Sequence, residues 1–338
     1  MLRLFSIALP LLSALFSAPA LSAEPDDPLF ASTETLPITL IAPFDEIDDE
    51  RDKEQEYEGK LLLADESGNE VELDARFEVR GNWRLNPRNC SYSQLWVDLR
   101  RGQLPGTLFE NQNRLKLVVQ CRRQDRYLGF LENEMAAYRI FSMLSDYHFE
   151  IRPLSVTYQD SESGDSRTHS AFFIEHQNRL SDRYGMEEVE ENSIAASDLD
   201  QRQAALVSLF MYMIGNTDFS LIQGPPDEEC CHNAKLLRDD SGSYFPIPYD
   251  FDASGLVDAS YAPEPNPGFR LRNNRDRLYR GFCVEPQIMS EAIASFQAHQ
   301  SEILALFEER SDTRFMEGFF DTLANERNLQ RRVLDECR

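Results

Sequence analysis

The chain lacks the signatures that most simple site assignments need. It has five histidines, at 148, 169, 176, 232 and 299, too scattered for a histidine-rich metal site. No C-x-x-C is matched by histidines at zinc-site spacing, which argues against zinc held by thiolates. There is no G-x-S-x-G elbow for a Ser/His/Asp hydrolase, and no G-x-G-x-x-G loop in the first half. Positive charge is scarce: 34 Lys and Arg stand against 59 Asp and Glu, a net charge of −25. That balance excludes nonspecific nucleic-acid binding, which needs a basic face. It also excludes a polybasic membrane anchor. Beyond residue 23 no apolar run reaches the ~20 residues a membrane-crossing helix needs.

What is present begins with a leader. Arg3 precedes the apolar stretch Leu4 to Phe16, and Ala18-Pro19-Ala20 and Leu21-Ser22-Ala23 offer small-residue cleavage sites. Residues 1–23 therefore read as a secretory signal peptide, and the expected location is periplasmic or extracellular. The mature chain of about 315 residues suits one large domain or two lobes. Six cysteines (Cys90, Cys121, Cys230, Cys231, Cys283 and Cys337) fit an exported protein with disulfides. Their 15 possible pairings stay open. The neighbours Cys230 and Cys231 are expected to pair with different partners.

Residues 24–35 read as a polar linker, and residues 36–175 as a β-rich unit. Leu36 to Ala42 is a strand, followed by a charged loop from Phe44 to Glu58. Leu61 to Ala64 and Val71 to Val79 form a hairpin about Ser67-Gly68-Asn69. Leu95 to Leu99, Arg114 to Val119, Leu154 to Tyr158 and Ala171 to Glu175 are further strands. Leu131 to Leu144 has helical spacing of its apolar residues. Residues 176–338 read as helical, with a buried helix at Ala204 to Ile214 and amphipathic helices at Ile288 to Glu309 and Asp312 to Asn325.

Residues 215–255 concentrate the chemistry. Asp218 follows the apolar helix, His232-Asn233 comes some fifteen residues later, and Asp250-Phe251-Asp252 follows the strand Tyr244 to Ile247. Phosphoryl transfer needs parts in that order: an acid for the acceptor hydroxyl, then an amide and a second acid for the metal that bridges the phosphates. Asp218 is the candidate catalytic base, or else an acid capping a turn after Asn216. Asn233, Asp250 and Asp252 are candidate metal ligands, since magnesium prefers oxygen. Lys116, mid-strand and turned away from Leu115 and Leu117, is the candidate phosphate-binding lysine, with Glu134 as its partner and Glu132 as a rival. Arg80 is a second candidate for the phosphate. Arg270, Arg272, Arg275, Arg277 and Arg280 are either a docking site for an acidic protein substrate or ordinary surface charges.

These stretches, in order, resemble the spore-coat protein H (CotH) family of atypical kinases. The resemblance runs through Phe77 to Arg84 (FEVRGNWR), Leu115 to Val118, Asn133 to Leu144, Pro153 to Tyr158, Phe172 to Gly185, Gly215 to Phe219, His232 to Leu237 and Pro246 to Asp252. Tyr249 stands where the family usually has Trp, and the insert from Gly224 to Cys231 is a departure. The resemblance implies an α+β, two-lobed protein-kinase-like fold with a β-rich N-lobe and a helical C-lobe. It implies transfer of a phosphoryl group from ATP, with Mg2+ or Mn2+, to a Ser or Thr of an exported protein. Two other readings stay open: a non-catalytic binding protein of the cell envelope, and a metal-dependent glycosyltransferase using Asp250 and Asp252.

Overall fold

The computed structural model describes residues 27–337, except 66, 227, 309 and 311. The leader read at residues 1–23 lies outside the described residues. Seven strands form one closed barrel: β1 (Leu36–Ala42), β2 (Glu56–Ala64), β3 (Glu70–Arg80), β4 (Gln94–Leu99), β5 (Arg114–Val119), β6 (Ile151–Asp160) and β7 (Ser166–Ile174). Their order around the barrel is β1-β2-β3-β4-β5-β7-β6. Neighbours are antiparallel except at the closure, where β1 runs parallel to β6 from Leu36↔Leu154 to Ala42↔Asp160.

That closure overturns the two-lobed kinase-like fold expected from the motifs. A barrel sealed by a parallel pair, with eight α-helices among the described residues, is not a β-rich lobe facing a helical lobe. Strand periodicity predicted the strands themselves but carries no information about which outer strands meet. The alternation fills the barrel: Leu40, Leu61, Phe77, Val97, Leu115, Leu117, Val156 and Phe173 are buried in one cluster. The intervening residues of β3 and β5, such as Glu78 and Lys116, face outward. Gly59 in β2 has no room for a side chain, because a Cβ there would lie 2.1 Å from the Ile41 carbonyl of β1.

Two local expectations also change. The Phe44 to Glu58 loop starts with a short helix, α1 (Phe44–Glu50), whose Phe44 and Ile47 are buried. The linker residues from 27 onward are docked, with Leu29 buried in the barrel cluster and its carbonyl accepting from Arg152.

The long helix α2 (Asp125–Leu144) begins earlier than its apolar spacing suggested. It leaves the barrel and packs into the second core with α4 (Gln201–Ile214), α5 (Pro286–Ala298) and α7 (Thr313–Ala324). Asp200 caps α4 by accepting from the Gln203 N–H at 2.7 Å. The amphipathic stretch from Ile288 is broken at His299, giving α5 and a separate α6 (Gln300–Ala305). A three-stranded antiparallel sheet joins β8 (Glu187–Glu188), β9 (Ala234–Arg238) and β10 (Tyr244–Pro248). The remaining helices are α3 (Gln177–Tyr184) and α8 (Glu326–Leu329). No helix among the described residues is long and apolar enough to cross a membrane.

Three disulfides use all six cysteines: Cys90–Cys121, Cys230–Cys231 and Cys283–Cys337. Cys230 and Cys231 thus pair with each other, against the expectation from their adjacency. The loop turns both side chains into the second core, where they bond to each other.

Between β7 and α3, Glu175 is buried, accepts from the Glu150 N–H at 2.6 Å and pairs with Arg183 at 2.6 Å. Burial pushes its carboxyl up to about 7, against the pull of Arg183. Between the ordinary carboxyl range and about 7 the folded chain therefore holds a proton that the unfolded chain has released, and stability falls as pH rises through that window. In Glu175→Gln the stability slope between pH 5 and 7, measured by urea unfolding, is expected to become less negative than in the wild type.

Candidate functional site

The site lies where the outer face of β3–β5 meets the loops of the second core. Antiparallel pairing builds its centre. Ala234 opposes Pro248 in the β9–β10 hairpin, so the residues just beyond, Asn233 and Tyr249, are also brought together. The Tyr249 N–H donates to the Asn233 carbonyl at 3.1 Å. Asn233 (φ 52°) and Asp250 (φ 61°) both adopt the left-handed conformation that Asn and Asp tolerate better than most residues. The Asp250 N–H donates to the Tyr138 hydroxyl of α2 at 3.1 Å. Phe251 is fully buried against Tyr138 and Phe210, which fixes the acids on either side of it.

Asp218 arrives from the end of α4. Gly215 closes that helix at φ 66°, and the buried Asn216 accepts from the Asp218 N–H at 2.8 Å. This is the turn the sequence allowed after Asn216. One Asp218 carboxylate oxygen lies 2.9 Å from His232 Nε2, and the other accepts from Asn233 Nδ2 at 3.3 Å. The hydrogen bond from His232 holds the Asp218 carboxyl below its ordinary range, and the same bond raises the His232 imidazole. Asp218 and His232 line a cavity of about 490 Å3 with Phe219, Phe269, Arg280 and the rim from Pro263 to Pro267. A larger cavity, of about 750 Å3, lies between Arg114 and α3, away from these acids.

Lys116 lies on the outward face of β5, opposite Trp96 in the neighbouring strand. Its ammonium sits 4.1 Å from the centre of the Tyr249 ring and 5.4 Å from that of Trp96. No carboxylate lies within ion-pair distance of it among the described residues. Burial, then repulsion from Arg80 and Lys235, lowers it to about 7, although Asp250 pulls the other way. Arg80, at the end of β3, has a buried Nε with no hydrogen-bond partner among the described residues. Burial lowers it too, and Asp250 is its foremost opposing charge. The Asp250 carboxylate itself makes no hydrogen bond or ion pair among the described residues.

The expected pairing of Lys116 with Glu134 is not formed. Glu134, 2% exposed on α2, pairs with Arg84 at 2.9 Å. The rival Glu132 pairs with Arg310 at 3.3 Å. Arg84 Nε also binds Asp252 at 2.6 Å, so one guanidinium joins Glu134 to Asp252. Burial raises both carboxyls against the attraction of Arg84, and repulsion adds to it, from Asp252 and Asp250 at Glu134 and from Asp250 and Asp218 at Asp252. Asp252 is therefore engaged by a cation and does not stand beside Asp250 as a ready ligand. Sequence reading passed over Arg84. It stood in view in the Arg80 to Arg84 segment, but its partners lie 50 and 168 residues away. An arginine in an otherwise turn-like segment was the sole local signal.

Among the described residues no three His, Cys, Asp or Glu side chains gather to hold a metal ion. The Asp250 carboxylate and the amide oxygen of Asn233, whose Nδ2 is turned to Asp218, are oxygen donors open to a cation. Two protein oxygens suit magnesium, which keeps several waters. The sheet ending at Asp250 is antiparallel, so the parallel sheet that a glycosyltransferase reading requires does not lead to the acidic pair.

No protein-family model matches the chain, and no curated protein matches its sequence.

The five arginines do not form one docking face. Arg277 points inward to the carbonyls of Met213 and Phe315, Arg275 pairs with Asp258 and Asp312, and Arg272 pairs with Asp276. Arg270 ends the turn Pro267–Phe269, and Arg280 reaches the Thr217 and Phe219 carbonyls. Arg275, Arg277 and Arg280 are partly buried and engaged within the molecule, whereas Arg270 and Arg272 are exposed.

Removing Arg84 leaves two buried carboxylates without their cation. Arg84→Met is expected to cost about 3–5 kcal/mol in urea unfolding. Most of that loss is expected to be recovered when Glu134→Gln and Asp252→Asn are added, because the orphaned charge is then gone.

Proposed function

We propose that this chain is an exported phosphotransferase that moves the γ-phosphoryl group of ATP to a Ser or Thr hydroxyl of an exported protein. The observation that carries the reading is the meeting of two incompletely paired cations, Lys116 and Arg80, with the unpaired carboxylate of Asp250, beside the Asp218 cavity. Such a set leaves room for an anion that itself brings a cation. The resemblance to the CotH family enters through its motifs and not through its fold. Three disulfides support export, since such bonds persist in oxidising compartments.

In this reading Lys116 and Arg80 hold phosphate oxygens. Arg80 supplies a planar, permanently charged group, while Lys116 is cheap to recharge because its pKa is already near neutrality. Asn233 and Asp250 hold Mg2+ or Mn2+, which when bound neutralises phosphate charge. Asp218 orients the acceptor hydroxyl and takes its proton, with His232 and Asn233 fixing the carboxylate. Glu134 and Asp252 act at one remove, through Arg84, by tying the Asp250 loop to α2 and to the barrel.

Asp250→Ala is expected to abolish Mn2+-dependent ATP binding in calorimetry on the oxidised chain. Asp218→Ala is expected to keep that binding and to lower phosphoryl transfer by about 100-fold or more. Metal-dependent binding that survives Asp250→Ala, or full transfer by Asp218→Ala, refutes the roles assigned. Absence of ATP binding by the wild type refutes the phosphotransferase itself.

A further inference from the structure

Arg280 has a more specific place than a surface charge. It follows the Asp218 loop by some sixty residues, yet its Nη1 donates to the carbonyls of Thr217 and, at 2.7 Å, of Phe219. These are the carbonyls on either side of Asp218. The guanidinium also lies 5.1 Å from the centre of the Phe219 ring and 4.6 Å from that of Phe269. The backbone beside it is fixed as well. A Cβ on Gly281 would lie 2.3 Å from the Tyr279 hydroxyl and 2.6 Å from Ser208 of α4, so only glycine allows this approach. Clamp and clamped loop are thus anchored to one helix, because α4 also ends at Gly215 and presents Asp218.

We infer that Arg280 is a positioning residue: it holds the Asp218 loop so that the carboxylate faces the cavity it lines. The inference rests on the reading of Asp218 as the base of phosphoryl transfer. A guanidinium suits the task, since the two N–H groups of its Nη1 can meet both backbone carbonyls while its planar faces pack against aromatic rings. Arg280 and Phe219 also form the wall between the Asp218 cavity and a neighbouring cavity of about 310 Å3, lined by Ser220, Leu221, Ile222, Gln223 and Phe282. Arg280 lies nearby as a favourable charge for the Asp218 carboxylate. Its reach to Asp218 is through the backbone, which is why its loss is expected to show as misplacement.

The test uses the full mature chain with Arg280→Met and Arg280→Lys. The hydrogen-bonded imidazole N–H of His232 is read by NMR and assigned by its disappearance in His232→Gln. Arg280→Met is expected to lose or shift this resonance, and Arg280→Lys to retain part of it. In transfer assays Arg280→Met is expected to lower kcat about 100-fold, the scale of a misplaced reacting group. Its affinity for ATP with Mn2+ is expected to stay within about twofold of the wild type. An unchanged His232 resonance in Arg280→Met overturns the inference, and so does loss of ATP binding in step with kcat. If Arg280→Met does not fold, the partial resonance and intermediate kcat of Arg280→Lys decide it in the same way. If the wild type transfers no phosphoryl group, the phosphotransferase reading falls, and the resonance still decides whether Arg280 positions Asp218.

Discussion

One buried guanidinium ties the two halves of this protein together. Arg84 leaves the barrel just after β3, reaches Glu134 on the helix that enters the second core, and reaches Asp252 on the loop after β10. Each acid alone would be costly to bury. Together with one cation they form a network in which the position of each element depends on the other two. The Asp250 loop, the β9–β10 hairpin and α2 are located by this contact and by the rings of Tyr138, Phe210 and Phe251.

The local half of the structure was legible in the sequence. Alternation at Val71 to Val79 reports one wet and one dry strand face, and this strand and Arg114 to Val119 both formed as read. The apolar run Ala204 to Ile214 reports a helix buried nearly all round. Asp218 and Asn233 meet where the end of α4 approaches the β9–β10 hairpin, whose other strand leads to Asp250. Long-range choices were not legible. Pairing Leu36 to Ala42 with Leu154 to Asp160 is a parallel contact between distant segments, and no periodicity encodes it. Glu134 looked like the partner of Lys116 because both lie on neighbouring elements; the competition was decided by Arg84, whose reach depends on the fold.

The fate of the arginines shows why charge runs mislead. Arg270 to Arg280 looks like one cationic patch along the chain, but the segment is irregular and points its side chains in different directions. Three of the five meet backbone carbonyls or carboxylates of their own molecule in partly buried positions. In an acidic protein an arginine is as valuable for satisfying the open carbonyls of loop ends as for meeting a partner.

The parallel closure of the barrel also bears on how the chain reaches its fold. Strands β2 to β5 can assemble by neighbouring antiparallel pairings, each closing a short loop. The last seam cannot: β1 must wait for a strand more than a hundred residues further on, and the intervening chain includes the whole of α2. Contacts at such separation are reached late and slowly, because the entropy of a large loop is lost before the contact rewards it. Until then β1 and β6 each present an open edge, the kind of surface that pairs with other chains. The same seam that leaves the finished barrel without an edge therefore makes its assembly the step most exposed to error.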